Sequence, residues 1–304
     1  MKVLLDLDDL LDKGKITPAQ HVEFSGFAQK ATGSLAFNIL IGFGVISVSC
    51  GAVALVPEAS TAIVIGFLAF GGGLILGRES PDQWRLLANV CILVGALMAG
   101  GGIVVVGDGS LLSKLIVTAV FVAASIFAES MLLAVLATLA LSACIGAATA
   151  YSKASYFLIV QEPALTVIIF TLLGIGLYHY SKRLTPEYEK IAIASSRTSV
   201  FMVNLGFWVG SLWGNRSDGG AVNIPESVFS FLWAAAIIVT AIWAWKANRR
   251  WALNTVATFG GIHFYTQWFE HLGGTPGTVL LAGLIAIGFA IGLRGMNSAL
   301  KDRA

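Results

Sequence analysis

The sequence predicts an all-α protein, a polytopic transmembrane helix bundle of about ten spans with both termini in the cytoplasm, preceded by a short amphipathic helix pair. Three observations predict it. Of 304 residues only 12% are charged and 57% are hydrophobic, with a mean hydropathy of +0.82. The charges cluster between apolar runs, and Leu35–Val56, Leu86–Val106 and Met131–Thr149 hold no Asp, Glu, Lys or Arg. Each run has roughly the 17–25 residues that a helix needs to cross a bilayer. The third observation is the alternation of basic flanks described below.

Composition narrows the class further. The 34 glycines suit helices that approach one another closely in lipid. No basic run of the kind that tracks phosphates is present, which excludes nucleic acid as an expected partner. Cys50, Cys91 and Cys144 fall inside apolar runs and are read as small packing residues. The first 30 residues are polar and acidic and lack a signal-peptide core, so insertion is expected to begin at the first span.

The N-terminal element comes first. Leu4, Leu7 and Leu11 recur at helical spacing, with Asp6, Asp9 and Asp12 on another face. Gly14 is placed to stop that helix. Thr17-Pro18-Ala19-Gln20 then reads as an N-cap, a proline at the first helical position and a capping-box glutamine. A second helix is expected to run through Val22 and Phe27 to about Lys30 and to end near Gly33. Residues 1–33 thus form a candidate cytoplasmic element lying on the bilayer, on the bundle or on a cytoplasmic protein partner. Asp9 through Gln20 superficially imitates a calcium loop, with Gly14 and Ile16 at the expected offsets, but Leu11, Lys13 and Gln20 stand where the ion needs oxygen ligands and a bidentate Glu.

Ten spans follow: about Ser34–Val56, Thr61–Leu76, Leu86–Val106, Leu111–Ala128, Met131–Thr149, Pro163–Tyr180, Thr198–Trp213, Ser227–Trp245, Ala252–Trp268 and Thr278–Leu293. With the N-terminus inside, 16 of the 19 basic residues fall on cytoplasmic segments and only Lys114, Lys153 and Arg216 fall outside. A miscounted helix would scramble that alternation. The 39 residues from Leu111 to Thr149 are nearly continuous in apolarity. They are divided at Glu129-Ser130 because one helix of that length would be near twice a bilayer's thickness. Residues 294–304 form a cytoplasmic tail.

Candidate functional residues are few. Zinc-protease, nucleophile-elbow and phosphate-loop signatures are absent, and neither a metal, a cofactor nor an enzymatic activity is expected. His263 lies within the ninth span, and an intramembrane ionisable group marks a functional site or a neutral imidazole bonded between helices. The surrounding run His263 to His271 also has the character of an interfacial aromatic belt. Asn204 needs a polar partner in its span. Together with Gln267, and with Glu162 at the outer mouth of the sixth span, Asn204 and His263 are the candidate lining of a substrate pathway. Glu162-Pro163 is equally a solvated helix start. Gly71–Gly73 and Gly100–Gly102 either unwind their helices to free carbonyls or permit close packing. Gly206, Gly210 and Gly214 form a ridge for helix packing, within the subunit or across a homo-oligomer. Gly288 and Gly292 repeat the spacing in the last span.

The run Leu10-Leu11-Asp-Lys-Gly14-Lys-Ile16-Thr17-Pro18-Ala-Gln20, followed by a Gly-rich first span, resembles the start of the uncharacterised prokaryotic membrane proteins of domain-of-unknown-function family 2157. Phe264-Tyr265 through Gly273 to Gly283 and Arg294 is similar in character to their closing part. Residues 19–21 depart from the usual order. The resemblance implies a bacterial inner-membrane location and brings no activity or site residues.

Three functions remain in competition. Ten spans with both ends inside suit a small-solute or ion transporter, and halves at residues 34–150 and 163–293 would be inverted, as in the drug/metabolite exporters. A membrane-embedded sensor or scaffold would dock a cytoplasmic protein through residues 1–33. An intramembrane enzyme is the third. Transport leads, because ten spans exceed what an anchor needs.

Overall fold

A computed structural model describes residues 7–79, 84–152, 155–216 and 222–301. Leu4, Asp6, Lys153 and Arg303, which entered the sequence argument, lie outside the described residues. The chain is all-α, 84% helical, and divides into two compact units, Met1–Ala128 and Glu129–Ala304. The first unit holds four long or apolar helices among the described residues and the second six.

The first unit runs α1 (Leu7–Asp12), α2 (Pro18–Leu55), α3 (Ala59–Glu79), α4 (Arg85–Val106) and α5 (Leu111–Phe127). Gly14 ends the first turn of chain at φ +63°. The capping box then forms: Gln20 N donates to Thr17 Oγ1 at 3.2 Å, and Thr17 N donates to Gln20 Oε1 at 2.9 Å. Lys13 pairs with Asp9 of the calcium-like run at 2.7 Å, and His21 Nε2 lies 2.9 Å from Asp8 Oδ1 just outside it. The expected stop at Gly33 does not occur. α2 continues for 38 residues, about 57 Å at 1.5 Å per residue. A lone interior glycine costs a helix only about 1 kcal/mol, and no proline follows to enforce a break. The second N-terminal helix and the first apolar run are one rod.

α3 and α4 pack backbone to backbone. A Cβ on Gly66 would stand 2.5 Å from Ala99 N and 2.7 Å from Gly95 O, and one on Gly102 would meet Ala59 O at 2.8 Å. Gly66 and Gly73 on one helix, and Gly95 and Gly102 on the other, recur every seven residues. This keeps one glycine face on the seam as the two helices run antiparallel. Both helices pass through their glycine triplets without unwinding. Within the triplets Gly73, Gly100 and Gly102 meet neighbours, whereas Gly71, Gly72 and Gly101 face open space.

The break between α5 and α6 falls where helix length demands it. Ala128 caps α5, Glu129 takes φ +49°, and Ser130 caps the next helix by accepting from Leu133 N.

The second unit comprises α6 (Met131–Cys144), strands β1 (Ala147–Ser152) and β2 (Ser155–Val160), α7 (Pro163–Ser181), α8 (Pro186–Trp213), strands β3 (Asn215–Arg216) and β4 (Val222–Ile224), α9 (Glu226–Lys246), α10 (Arg250–Leu272) and α11 (Pro276–Lys301). Two antiparallel hairpins, β1–β2 and β3–β4, are additions to the expected fold. The first shortens the fifth apolar segment. α6 has 14 residues, about 21 Å, and Gly146 at φ +86° turns Ala147–Thr149 into a strand. The segment expected from Thr198 is longer: α8 starts at Pro186, behind the Thr185 N-cap, and carries its charged residues on the same helix.

α8 is the centre of this unit. Its Ser196 Oγ donates to Gly174 O on α7 at 2.8 Å, and its Ser195 Oγ donates to Ala134 O on α6 at 3.2 Å. Phe207 of α8 joins Phe229 and Trp233 of α9 and Phe259 of α10 in one buried cluster. α10 also packs on α9 through Leu253 and Val256 against Ala244. α11 meets α10 through Phe264 and Phe289 and through Trp268 Nε1, which donates to Thr278 O.

Among the described residues four helices are long and apolar enough to cross a membrane: α3, α4, α7 and α9. Ile39–Leu55, Leu111–Phe127, Met131–Cys144 and Pro276–Gly292 are apolar but shorter, while α8 and α10 are long but more polar. Large apolar side chains such as Leu68, Leu172 and Val239 point outward at 65–70% exposure. Outward apolar side chains of that kind are compatible with lipid.

Candidate functional site

The second unit holds a cavity of about 860 Å³ among α7, α8, α9 and α10. Its volume lies in the roughly 300–1,000 Å³ range of small-molecule sites. The central helix α8 supplies the floor through Ser196, Val200, Val203 and Asn204. α7 and α9 form the walls, and exposed Ile175 and Val239 mark where the cavity reaches the outer surface between them. Neighbouring helices alternate in direction, so the C-terminal ends of α7 and α9 share one end with the N-terminal ends of α8 and α10. That end is basic and aromatic. The opposite, inner end is closed by Phe170, Phe207 and Trp233.

Trp233, fully buried, organises the inner end. Its Nε1 donates to Asn204 Oδ1 at 2.9 Å, and Asn204 Nδ2 donates to Val200 O at 2.8 Å. Asn204 therefore has the polar partner it needed, and one of its N–H groups remains available for another bond. The Trp233 ring also meets His263 edge-on, with centroids 4.8 Å apart at 70°. His263 Nδ1 and, one turn along α10, Gln267 Nε2 are buried without a hydrogen-bond partner among the described residues. A bridging water satisfies such a pair when two to four polar groups converge on it. Beside them Trp208 Nε1 donates to Thr266 Oγ1 at 3.1 Å.

Two of the four expected pathway residues, Asn204 and His263, thus meet one indole, and Gln267 lies one turn further along α10. Of these only Asn204 is part of the cavity lining. Glu162 stands apart at the start of α7, where its Oε2 accepts from Asn215 Nδ2 at 3.4 Å and Asn215 Oδ1 accepts from Ala164 N at 3.1 Å. That arrangement ties the β3 strand to the helix start. Trp233 itself had no polar signal in the sequence, being one aromatic in an apolar run.

The packing glycines divide. A Cβ on Gly206 would meet Val167 of α7 at 3.1 Å, and one on Gly210 would meet the Phe229 ring of α9 at 2.5 Å. Those two serve different neighbours and not a single ridge. Gly214 is the C-cap of α8 at φ +68°, under Ile224 O of the hairpin. Gly288 and Gly292 face open space on α11, so neither packs against another described helix.

The basic end has its own order. Tyr178 meets Trp243 edge-on across the gap between α7 and α9, with centroids 6.1 Å apart at 86°. Lys182 Nζ sits 5.1 Å from the Tyr178 ring centroid, and Arg197 sits 5.1 Å from that of Trp251. Lys182, Arg249 and His179 line the cavity there. His179 and Lys182 also border a second cavity of about 480 Å³ with Arg183. Among the described residues no carboxylate pairs with Lys182, Arg197 or Arg249; Glu187 and Glu189, at the start of α8, are outside the cavity lining.

No protein-family model, curated protein or solved structure matches the chain.

Proposed function

We propose that the chain is a ten-span protein of a bacterial inner membrane, both termini cytoplasmic, that carries a small solute through the cavity of its second unit. The family 2157 resemblance and the 16-to-3 partition of basic residues support the location and orientation. α6 then crosses with local thinning of the bilayer, at a modest cost per ångström of mismatch. The observation that carries the functional reading is the cavity itself: about 860 Å³ floored by a polar Asn204 inside an apolar bundle. Asn204 supplies the sparse polar contact that orients a ligand in a mostly apolar site.

The test is uptake of a panel of radiolabelled amphipathic solutes into reconstituted vesicles. Val200→Trp and Thr240→Trp fill the cavity from floor and wall. A solute moved by wild type should move about tenfold or more slowly in both variants. Uptake indifferent to filling would place the pathway elsewhere.

A second reading rests on the N-terminus, where Val22 is 72% exposed and Phe24 40%. A cytoplasmic protein docked on them would be coupled rigidly to the bundle through the unbroken α2. Capture of one partner by wild type, lost in Val22→Ser/Phe24→Ser, would favour this scaffold role.

A further inference from the structure

We infer that the cavity's ligand is an anionic phospholipid, its phosphate at Lys182 and Arg249 and its acyl chains along the groove toward Trp233. The inference rests on the carrier reading and names its ligand class. Three features converge on it. From Phe170 at the closed end to Lys182 at the basic end is twelve residues of α7 and its C-cap, about 18 Å along a helix axis. The groove is therefore long and has distinct ends. Its walls are apolar and reach the outer surface between α7 and α9, a lateral path by which acyl chains enter from the bilayer without crossing water. Its basic end presents Lys182 and Arg249 without carboxylate partners among the described residues, and aromatic rings flank it at Tyr178, Trp243 and Trp251. Lysine and arginine are the phosphate-binding side chains. Aromatic rings with a polar edge settle at headgroup depth. A neutral solute would use the apolar walls and leave these cations without a role in binding.

Cytoplasmic flanks of membrane helices are basic in any case, so the test must separate groove cations from their neighbours. Lys246 and Arg250 serve as that control: they lie at the same end of α9 and α10, exposed and outside the cavity lining. Native mass spectrometry of the delipidated full-length protein would follow binding of phosphatidylglycerol, phosphatidylcholine with the same chains, and inorganic phosphate. Wild type should bind one phosphatidylglycerol about tenfold or more tightly than phosphatidylcholine. Lys182→Gln/Arg249→Gln should weaken phosphatidylglycerol by roughly ten- to thirtyfold, from two lost cation contacts. It should leave phosphatidylcholine unchanged. Lys246→Gln/Arg250→Gln should keep the preference, and Thr240→Trp should lose both lipids. Equal losses in the two charge variants, or a preference that survives Lys182→Gln/Arg249→Gln, would overturn the inference. Full displacement of lipid by inorganic phosphate would make the ligand a free anion and overturn it too. Equal binding of both lipids, abolished by Thr240→Trp, would remove the anionic ligand and leave the carrier reading standing. Melting temperatures within the wild-type range establish that each variant is folded.

Discussion

Trp233 Nε1 donates to Asn204 Oδ1 at 2.9 Å, and the same indole meets the His263 ring edge-on at 4.8 Å. One side chain on α9 thereby joins a polar group of the cavity lining to His263 of α10. Asn204→Leu leaves the indole N–H buried without an acceptor, and Trp233→Phe leaves the amide oxygen in the same state. Each should lower the unfolding midpoint in mild detergent. The double variant should lose less than the sum, by a coupling of about 0.5–2 kcal/mol. Strict additivity would mean that the bond contributes nothing.

The α3–α4 seam makes glycine substitutions opposite in sign. Gly66→Ala places a methyl 2.5 Å from Ala99 N; the helices must separate, and destabilisation of about 1–3 kcal/mol is expected. Gly72→Ala enters open space and should stabilise α3 by up to about 1 kcal/mol. Detergent melting curves for the two variants that move in the same direction would contradict the seam.

Gly210 and Gly288 provide the corresponding pair in the second unit. Gly210→Ala drives a methyl into the Phe229 ring at 2.5 Å and should destabilise. Gly288→Ala meets nothing within the chain and should leave the melting point near wild type. If Gly288→Ala instead lowers the mass measured by light scattering, the exposed α11 face is the contact between copies.

Topology is checked by reporter fusions. Sites after Arg216 and at Gly273 should report outside, and sites at Arg183 and Asn248 should report inside, as the distribution of basic residues requires. A cytoplasmic signal at Gly273 would reduce the number of crossings and move the basic end of the cavity to the other face.

The helical architecture was legible because apolar run length is a collective signal that survives local error. The Thr17–Gln20 capping box was legible because each of its residues has a specific bonding role, and Glu129-Ser130 because helix length forced a break. The end of α6 was hidden, since Ala147 and Ala148 continue the small apolar residues of the helix before them and short apolar runs do not distinguish strand from helix. The seam glycines were hidden in another way. The triplets at 71–73 and 100–102 drew attention, while the seven-residue spacing of Gly66, Gly73, Gly95 and Gly102 spans two helices. Asn204, His263 and Gln267 stood out as polar groups in apolar surroundings, but Trp233, which meets the first two, did not. The cavity was not legible at all, because a void between four helices depends on how they are spaced.

The most direct measurement asks whether the cavity floor is reachable. In a chain with Cys50, Cys91 and Cys144 replaced, a single cysteine at Val200 would be exposed, in delipidated protein in detergent, to a water-soluble maleimide. Cysteines at Asn248, exposed, and at Ile92, buried, set the two limits. The account predicts labelling at Val200 well above the buried limit, slowed about tenfold or more by Thr240→Trp. Labelling no faster than at Ile92 would show a closed floor and contradict the claim that this cavity takes a ligand.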